Sequence, residues 1–123
     1  MINRVQPSSL QGRRVLIVED EYMIADDMAL DLKCFGADVI GPVASVEQAL
    51  TCLNQHQNVD GAVVDVNLGG EMAYAVADEL AKRGVPFVFA TGYERGTIPQ
   101  RYGHITLCEK PVEAASIARA LFG

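Results

Sequence analysis

The ten residues from Gly61 to Gly70, GAVVDVNLGG, constrain this chain more than any other stretch. Small and apolar side chains run into Asp65, and the run then gives way to Asn67 and the pair Gly69-Gly70. An apolar run bounded by glycine is the pattern of a strand buried on both faces of a sheet. Asp65 then falls at the carboxyl end of a central strand. In open parallel α/β sheets ligands bind just outside the carboxyl ends of the strands, so a carboxylate there is a candidate for chemistry. The alternative is local: an aspartate that opens a turn and accepts backbone N–H bonds. What the other strand ends carry decides between the two.

A chain of 123 residues is one domain's worth. Residues 1 to 12, with Pro7, Ser8, Ser9 and Gly12, read as a loose lead-in, so the fold is expected from Arg13 onward. Arg14 to Val18 is an aliphatic strand that runs into Glu19, Asp20 and Glu21. Behind it Ile24, Met28, Leu32 and Phe35 recur at helical spacing, with the acids expected in the first turn and Gly36 as the stop. Ala37 to Ile40 reads as a second strand ended by Gly41-Pro42, and Ser45 to Gln48 as a capping box opening a helix through Leu53. After the central strand, Met72, Val76 and Leu80 mark a third helix, stopped at Gly84. Val85 to Ala90 is another buried strand. From Tyr93 to Gly103, Gly96, Pro99 and few apolar residues predict a short or poorly ordered helix. Ile105 to Cys108 is the last strand, and Val112 to Phe122 the last helix. Strands alternating with helices across short connections predict an α/β fold, a doubly wound five-stranded parallel sheet covered on both faces.

On that sheet the carboxyl ends deliver Glu19 and Asp20 from the first strand, Asp65 from the third, Thr91 from the fourth and Lys110 from the fifth. Three converging carboxylates repel one another unless protons or a cation relieve them. An oxygen-rich set without thiol or imidazole suits a hard cation, and Mg²⁺ is the natural fit. A lysine and a hydroxyl beside such a site are what stabilise the oxygens of a transferring phosphoryl group. The chemistry this suggests is phosphoryl transfer to Asp65.

Composition narrows the partners. A net charge of −6 and a pI near 4.7 argue against binding nucleic acid through its phosphates. No apolar run reaches the length of a membrane span and the start lacks the apolar core of a signal peptide, so a cytoplasmic protein without membrane attachment is expected. Cys34, Cys52 and Cys108 are far apart and form no CxxC, and are expected as reduced thiols in or near the core. His56 and His104 are expected in loops or on the surface.

The ordered set Glu19-Asp20, Asp65, Thr91 and Lys110-Pro111 resembles the receiver domain of bacterial two-component response regulators, with its flavodoxin-like fold, across Arg13 to Gly123. The resemblance implies that Asp65 is the phospho-acceptor and that Glu19, Asp20, Asp65 and the backbone carbonyl of Asn67 hold Mg²⁺. It further implies that Thr91 hydrogen-bonds one phosphoryl oxygen, that Lys110 pairs with another, and that a cis bond before Pro111 aims Lys110 inward. The donor would be a phosphohistidine on a sensor histidine kinase or a histidine phosphotransferase.

Receivers usually carry a Tyr or Phe where this chain has Leu107, so the usual aromatic switch is missing. The run Phe89-Ala90-Thr91-Gly92-Tyr93 resembles a receiver subgroup with a FAT-G-Y signature, associated with kinases of the HWE class. Tyr93 and the Tyr93 to Gly103 loop are therefore expected to take over the switching role. The resemblance implies a stand-alone signalling module, not a turnover enzyme, acting by partner binding or as a phosphate sink. Two other readings stay open. One is a small Mg-dependent phosphatase with an aspartyl nucleophile, although Asn67 stands where such enzymes want a second acid. The other is a receiver-like scaffold that works without phosphorylation.

Overall fold

In the computed structural model, which describes residues 10–92 and 98–123, five parallel strands form one twisted sheet. In chain order the elements are β1 (Arg14–Val18), α1 (Tyr22–Cys34), β2 (Asp38–Val43), α2 (Val46–Gln55) and β3 (Gly61–Asp65), followed by a two-stranded hairpin, β4 (Asn67–Leu68) and β5 (Glu71–Met72). Then come α3 (Tyr74–Lys82), β6 (Phe87–Thr91), a single 3-10 turn (Gln100–Tyr102), β7 (Leu107–Glu109) and α4 (Ala114–Phe122). The sheet order is β2-β1-β3-β6-β7. That is the expected doubly wound arrangement, with its switch point between β1 and β3.

Both faces are covered. Met28, Ala29 and Leu32 of α1 and Ile117 and Ala118 of α4 pack with Val15, Ile17, Val63 and Val88 on one side. Val46, Ala49 and Leu53 of α2 and Val76, Ala77 and Leu80 of α3 pack with Leu16, Val18, Val64 and Phe89 on the other. Every residue of β3 and of β6 is buried, which is why both strands read as continuous apolar runs.

Register sets the site. Val18 pairs with Val64, Asp65 with Ala90, and Thr91 with Glu109. Glu19, Asp65, Thr91 and Lys110 each stand at or one step past the end of a neighbouring strand. They are brought to one edge of the sheet by backbone pairing alone.

Several boundaries differ from the sequence reading. β2 does not stop before Gly41-Pro42 but continues through it to Val43, with a register shift opposite β1 between Leu16 and Val18. As an edge strand, β2 tolerates a proline that donates no ladder bond, and Glu19 N–H still reaches Val43 O at 2.9 Å. Glu19, Asp20 and Glu21 lie before α1 rather than in its first turn. Met72 is exposed on β5 and not on α3, because Gly69 and Gly70, at φ 63° and 97°, form a two-residue hairpin turn. The ordered body reaches back past Arg13 to Leu10, which is fully buried against the α1 and α4 layer. Cys34 is exposed, while Cys52 and Cys108 are partly buried; all three are free, and burial pushes the thiols of Cys52 and Cys108 up. His104 is exposed and His56 partly buried at the end of α2, its Nδ1 3.3 Å from Arg14 Nη2. Among the described residues no helix is long and apolar enough to cross a membrane.

Candidate functional site

Asp65 ends β3 with 4% exposure, and Glu19 follows β1 with 3%. Carboxylates this deep need partners. Lys110, just beyond β7, supplies one: its Nζ lies 2.7 Å from Glu19 Oε1 and 3.0 Å from Asp65 Oδ2. The backbone supplies others, since Glu21 N–H donates to Glu19 Oε2 at 2.9 Å and Asn67 N–H donates to Asp65 Oδ1 at 3.2 Å. The Lys110-Pro111 peptide is cis, as the resemblance implied, and Gly41-Pro42 is a second cis bond.

Asp20 is exposed at the mouth, and one oxygen each of Glu19, Asp20 and Asp65 lie within 4.8 Å of one another. Three carboxylates thus face one ammonium. Burial pushes the Asp65 carboxyl up to about 7; Lys110 opposes that rise and repulsion from Glu19 adds to it. Burial alone would lower Lys110, but its bonds to Glu19 and Asp65 outweigh this and hold its pKa above the usual lysine value. A lysine so held stays charged throughout the physiological range.

The donor set fits a divalent cation. It is all oxygen, it carries more negative charge than Lys110 neutralises, and one of its members is open to solvent.

Asn67 is fixed by the hairpin. Its side-chain Oδ1 accepts Gly70 N–H at 2.7 Å, so the carboxamide closes the turn. A Cβ on Gly69 would lie 3.6 Å from Asp20 Oδ2, which shows how closely this turn flanks the acidic mouth. Thr91 ends β6 with 1% exposure, and its carbonyl accepts Lys110 N–H at 3.4 Å. Glu19, Asp20, Asp65, Asn67, Thr91 and Lys110 are therefore gathered at one mouth, and Pro111 follows at its exposed rim. Leu107 is partly buried on β7, opposite Phe89 of β6. Tyr93 lies outside the described residues.

Sequence reasoning missed Tyr102. Its ring stacks on Tyr74 at 5.4 Å between centroids and meets the Phe89 ring edge-on at 5.6 Å. Its hydroxyl donates to Asp78 on α3, and Arg101 Nη2 donates to that hydroxyl at 2.9 Å. An aromatic cluster thus packs beside the strand where Leu107 leaves the usual ring out. The signal available was the pair Ile98 and Tyr102, four apart, and both are buried.

No family model matches the chain. Among solved structures it is similar to SdrG from Sphingomonas melonis Fr1, at 37% identity over 93% of this chain and 95% of that one, with a TM-score of 0.77. It also matches the BeF3-activated conformation of SdrG from Pseudomonas melonis Fr1, at 38% identity over 88% and 92% of the two chains and a TM-score of 0.73. The response regulator PhyR from Brucella abortus is 26% identical over 94% of this chain and 51% of that one, at a TM-score of 0.76. The curated transcriptional regulatory protein PdtaR from Mycobacterium tuberculosis is 28% identical over 113 residues, 89% of this chain. This chain spans 55% of PdtaR, about half of that relative's length. Matched nearly end to end by a relative more than a third identical, and sharing its fold, the chain belongs to the receiver-domain family of response regulators.

Proposed function

We propose that Asp65 accepts a phosphoryl group from a phosphohistidine in a Mg²⁺-dependent transfer. The observation that carries this reading is the placement of the Lys110 ammonium 3.0 Å from Asp65 within a three-carboxylate mouth. Glu19, Asp20, Asp65 and the backbone carbonyl of Asn67 would hold the cation. The chemistry gained from Mg²⁺ there is neutralisation of charge on the phosphoryl oxygens.

The chain's own groups do the rest. One Asp65 oxygen, ionised, attacks phosphorus; the P–N bond to the donor imidazole breaks and its electron pair returns to the imidazole nitrogen. Lys110 is already charged and within reach of a second oxygen on the incoming group. Thr91 offers a hydroxyl to a third. Burial of Asp65 and Glu19 keeps water away, so these interactions act at low effective dielectric.

The FAT-G-Y run at Phe89 to Tyr93 supports a sensor histidine kinase of the HWE class, or a histidine phosphotransferase, as the donor. The phosphorylated chain would then signal by binding a protein partner or serve as a phosphate sink. The switch role would fall to Tyr93 and its loop. Similarity to SdrG, for which a BeF3-activated conformation is solved, supports the acceptor reading.

The test is to incubate the protein with Mg²⁺ and a phosphorylated histidine kinase and to follow label on the intact chain. Label that is Mg²⁺-dependent and absent in Asp65→Asn is expected. Continuous phosphate release without a labelled chain would point to the phosphatase reading, and no label at all to the scaffold.

A further inference from the structure

We infer that Asp31, on α1, is a positioning residue for Lys110; this rests on the acceptor reading above. α4 starts at Ala114, and its N-cap residue, Glu113, makes no side-chain cap bond. The Ala114 N–H donates instead to Asp31 Oδ2 at 2.7 Å, across 83 residues of sequence. An anionic cap at a helix start is favoured twice, by the hydrogen bond and by the helix dipole. Here another helix supplies it.

This bond fixes the far end of the segment that carries Lys110. The near end is tied by Lys110 N–H to Thr91 O at 3.4 Å, which is long for a backbone bond. Between the two ties Val112 is buried in the α1 and α4 layer, but packing around Pro111 leaves room: an opening of about 250 Å³ lies between Ile24, Asp27, Met28 and Asp31 of α1 and Pro111 and Val112. Pro111 is exposed. The ammonium must nonetheless hold 2.7 Å from Glu19 and 3.0 Å from Asp65. Asp31 adds a directed hydrogen bond to the packing of Val112 and Ala114.

The effect should fall on the phosphoryl-binding half of the site without weakening the metal half: Lys110 is no metal ligand, and its ammonium competes with a cation for Glu19 and Asp65. NMR titrations of the full chain with Mg²⁺, then with beryllofluoride at saturating Mg²⁺, separate the two. Asp31→Ala should weaken beryllofluoride binding about tenfold or more without lowering the Mg²⁺ affinity. Asp31→Asn keeps an acceptor oxygen and should restore most of the loss. Ala114→Pro deletes the donor instead of the acceptor, at a first-turn position that suits proline and after a Glu113 already at φ −95° and ψ 146°. It should reproduce the Asp31→Ala loss, and it decides the matter if Asp31→Ala does not fold. Wild-type beryllofluoride affinity in Asp31→Ala or Ala114→Pro, or a parallel fall in Mg²⁺ affinity, overturns the inference alone. If the wild type itself shows no Asp65-dependent beryllofluoride binding, the acceptor reading falls, and this inference with it.

Discussion

The ammonium of Lys110 stands 3.0 Å from Oδ2 of Asp65, so the lysine after the last strand is bound to the aspartate at the end of the central one. The contact is partly buried, where charge is poorly screened. It holds down the pKa of an aspartate that burial pushes up, and with both effects present the carboxyl stands at about 7. Lys110→Ala should therefore move Asp65 further upward. A ¹³C carboxyl titration by NMR reads this directly, and an unchanged midpoint would mean that the two groups are not coupled in solution.

Stability of the metal-free protein should depend on pH through the same group. The folded state holds the Asp65 proton to about 7, whereas an ordinary aspartate releases it near 3.8. Protonated Asp65 thus favours folding fully below about 4, and that contribution is lost as pH rises to about 7. Asp65→Asn cannot lose it. The variant should match wild type near pH 4 and exceed it at pH 7.5 by on the order of 2 kcal/mol, measured by urea unfolding in chelator. A gap that does not change with pH would count against burial as the cause.

Asp20 is the solvent-facing member of the acidic mouth. Asp20→Asn removes repulsion as well as a ligand, so it should raise the melting temperature without metal and weaken Mg²⁺ binding. Wild type should gain about 2.7 kcal/mol at a Mg²⁺ concentration of 100 Kd, and the variant less at the same concentration. A lowered melting temperature of Asp20→Asn in chelator would argue that the three acids do not converge.

Tyr102 ties the turn before β7 to α3. Burial and the bond to Asp78 both push its pKa up, while Arg101 opposes them. Tyr102→Phe keeps the stacking on Tyr74 and the contact with Phe89 and should cost about 1 kcal/mol. Tyr102→Ala also empties a space between Phe89 and Tyr74 and should cost about 3–5 kcal/mol. Equal losses for the two variants, measured by denaturant unfolding, would show that the hydroxyl and not the ring carries the stability.

The five apolar runs and the polar residues that end them are local properties of the sequence. Apolar runs at β3 and β6 specify buried strands, and short connections through helices specify parallel pairing. Glu19, Asp65, Thr91 and Lys110 were legible together because flush register carries strand ends to one edge. The capping box was legible for the same local reason: Ser45 Oγ accepts Gln48 N–H at 3.1 Å, and Gln48 Oε1 accepts Ala44 N–H at 2.9 Å.

Tertiary structure decided what spans distant segments. Nothing near Asp31 in sequence marks it as the cap of α4. Nothing near Arg83, at the end of α3, marks its partners either: its Nη1 donates to Leu53 O at 2.5 Å and its Nη2 to Asn54 Oδ1 at 2.9 Å, closing the end of α2. Tyr102 sits in a stretch with few apolar neighbours, and it becomes core because Tyr74 and Phe89 come to meet it. The hairpin after Asp65 was hidden because Met72 also falls on the period of α3. Periodicity reports which face of an element is buried, so the sequence alone determined the sheet, its layers and the residues at its mouth. Which polar groups meet across that mouth depends on how whole elements pack, and the tertiary structure alone decided it.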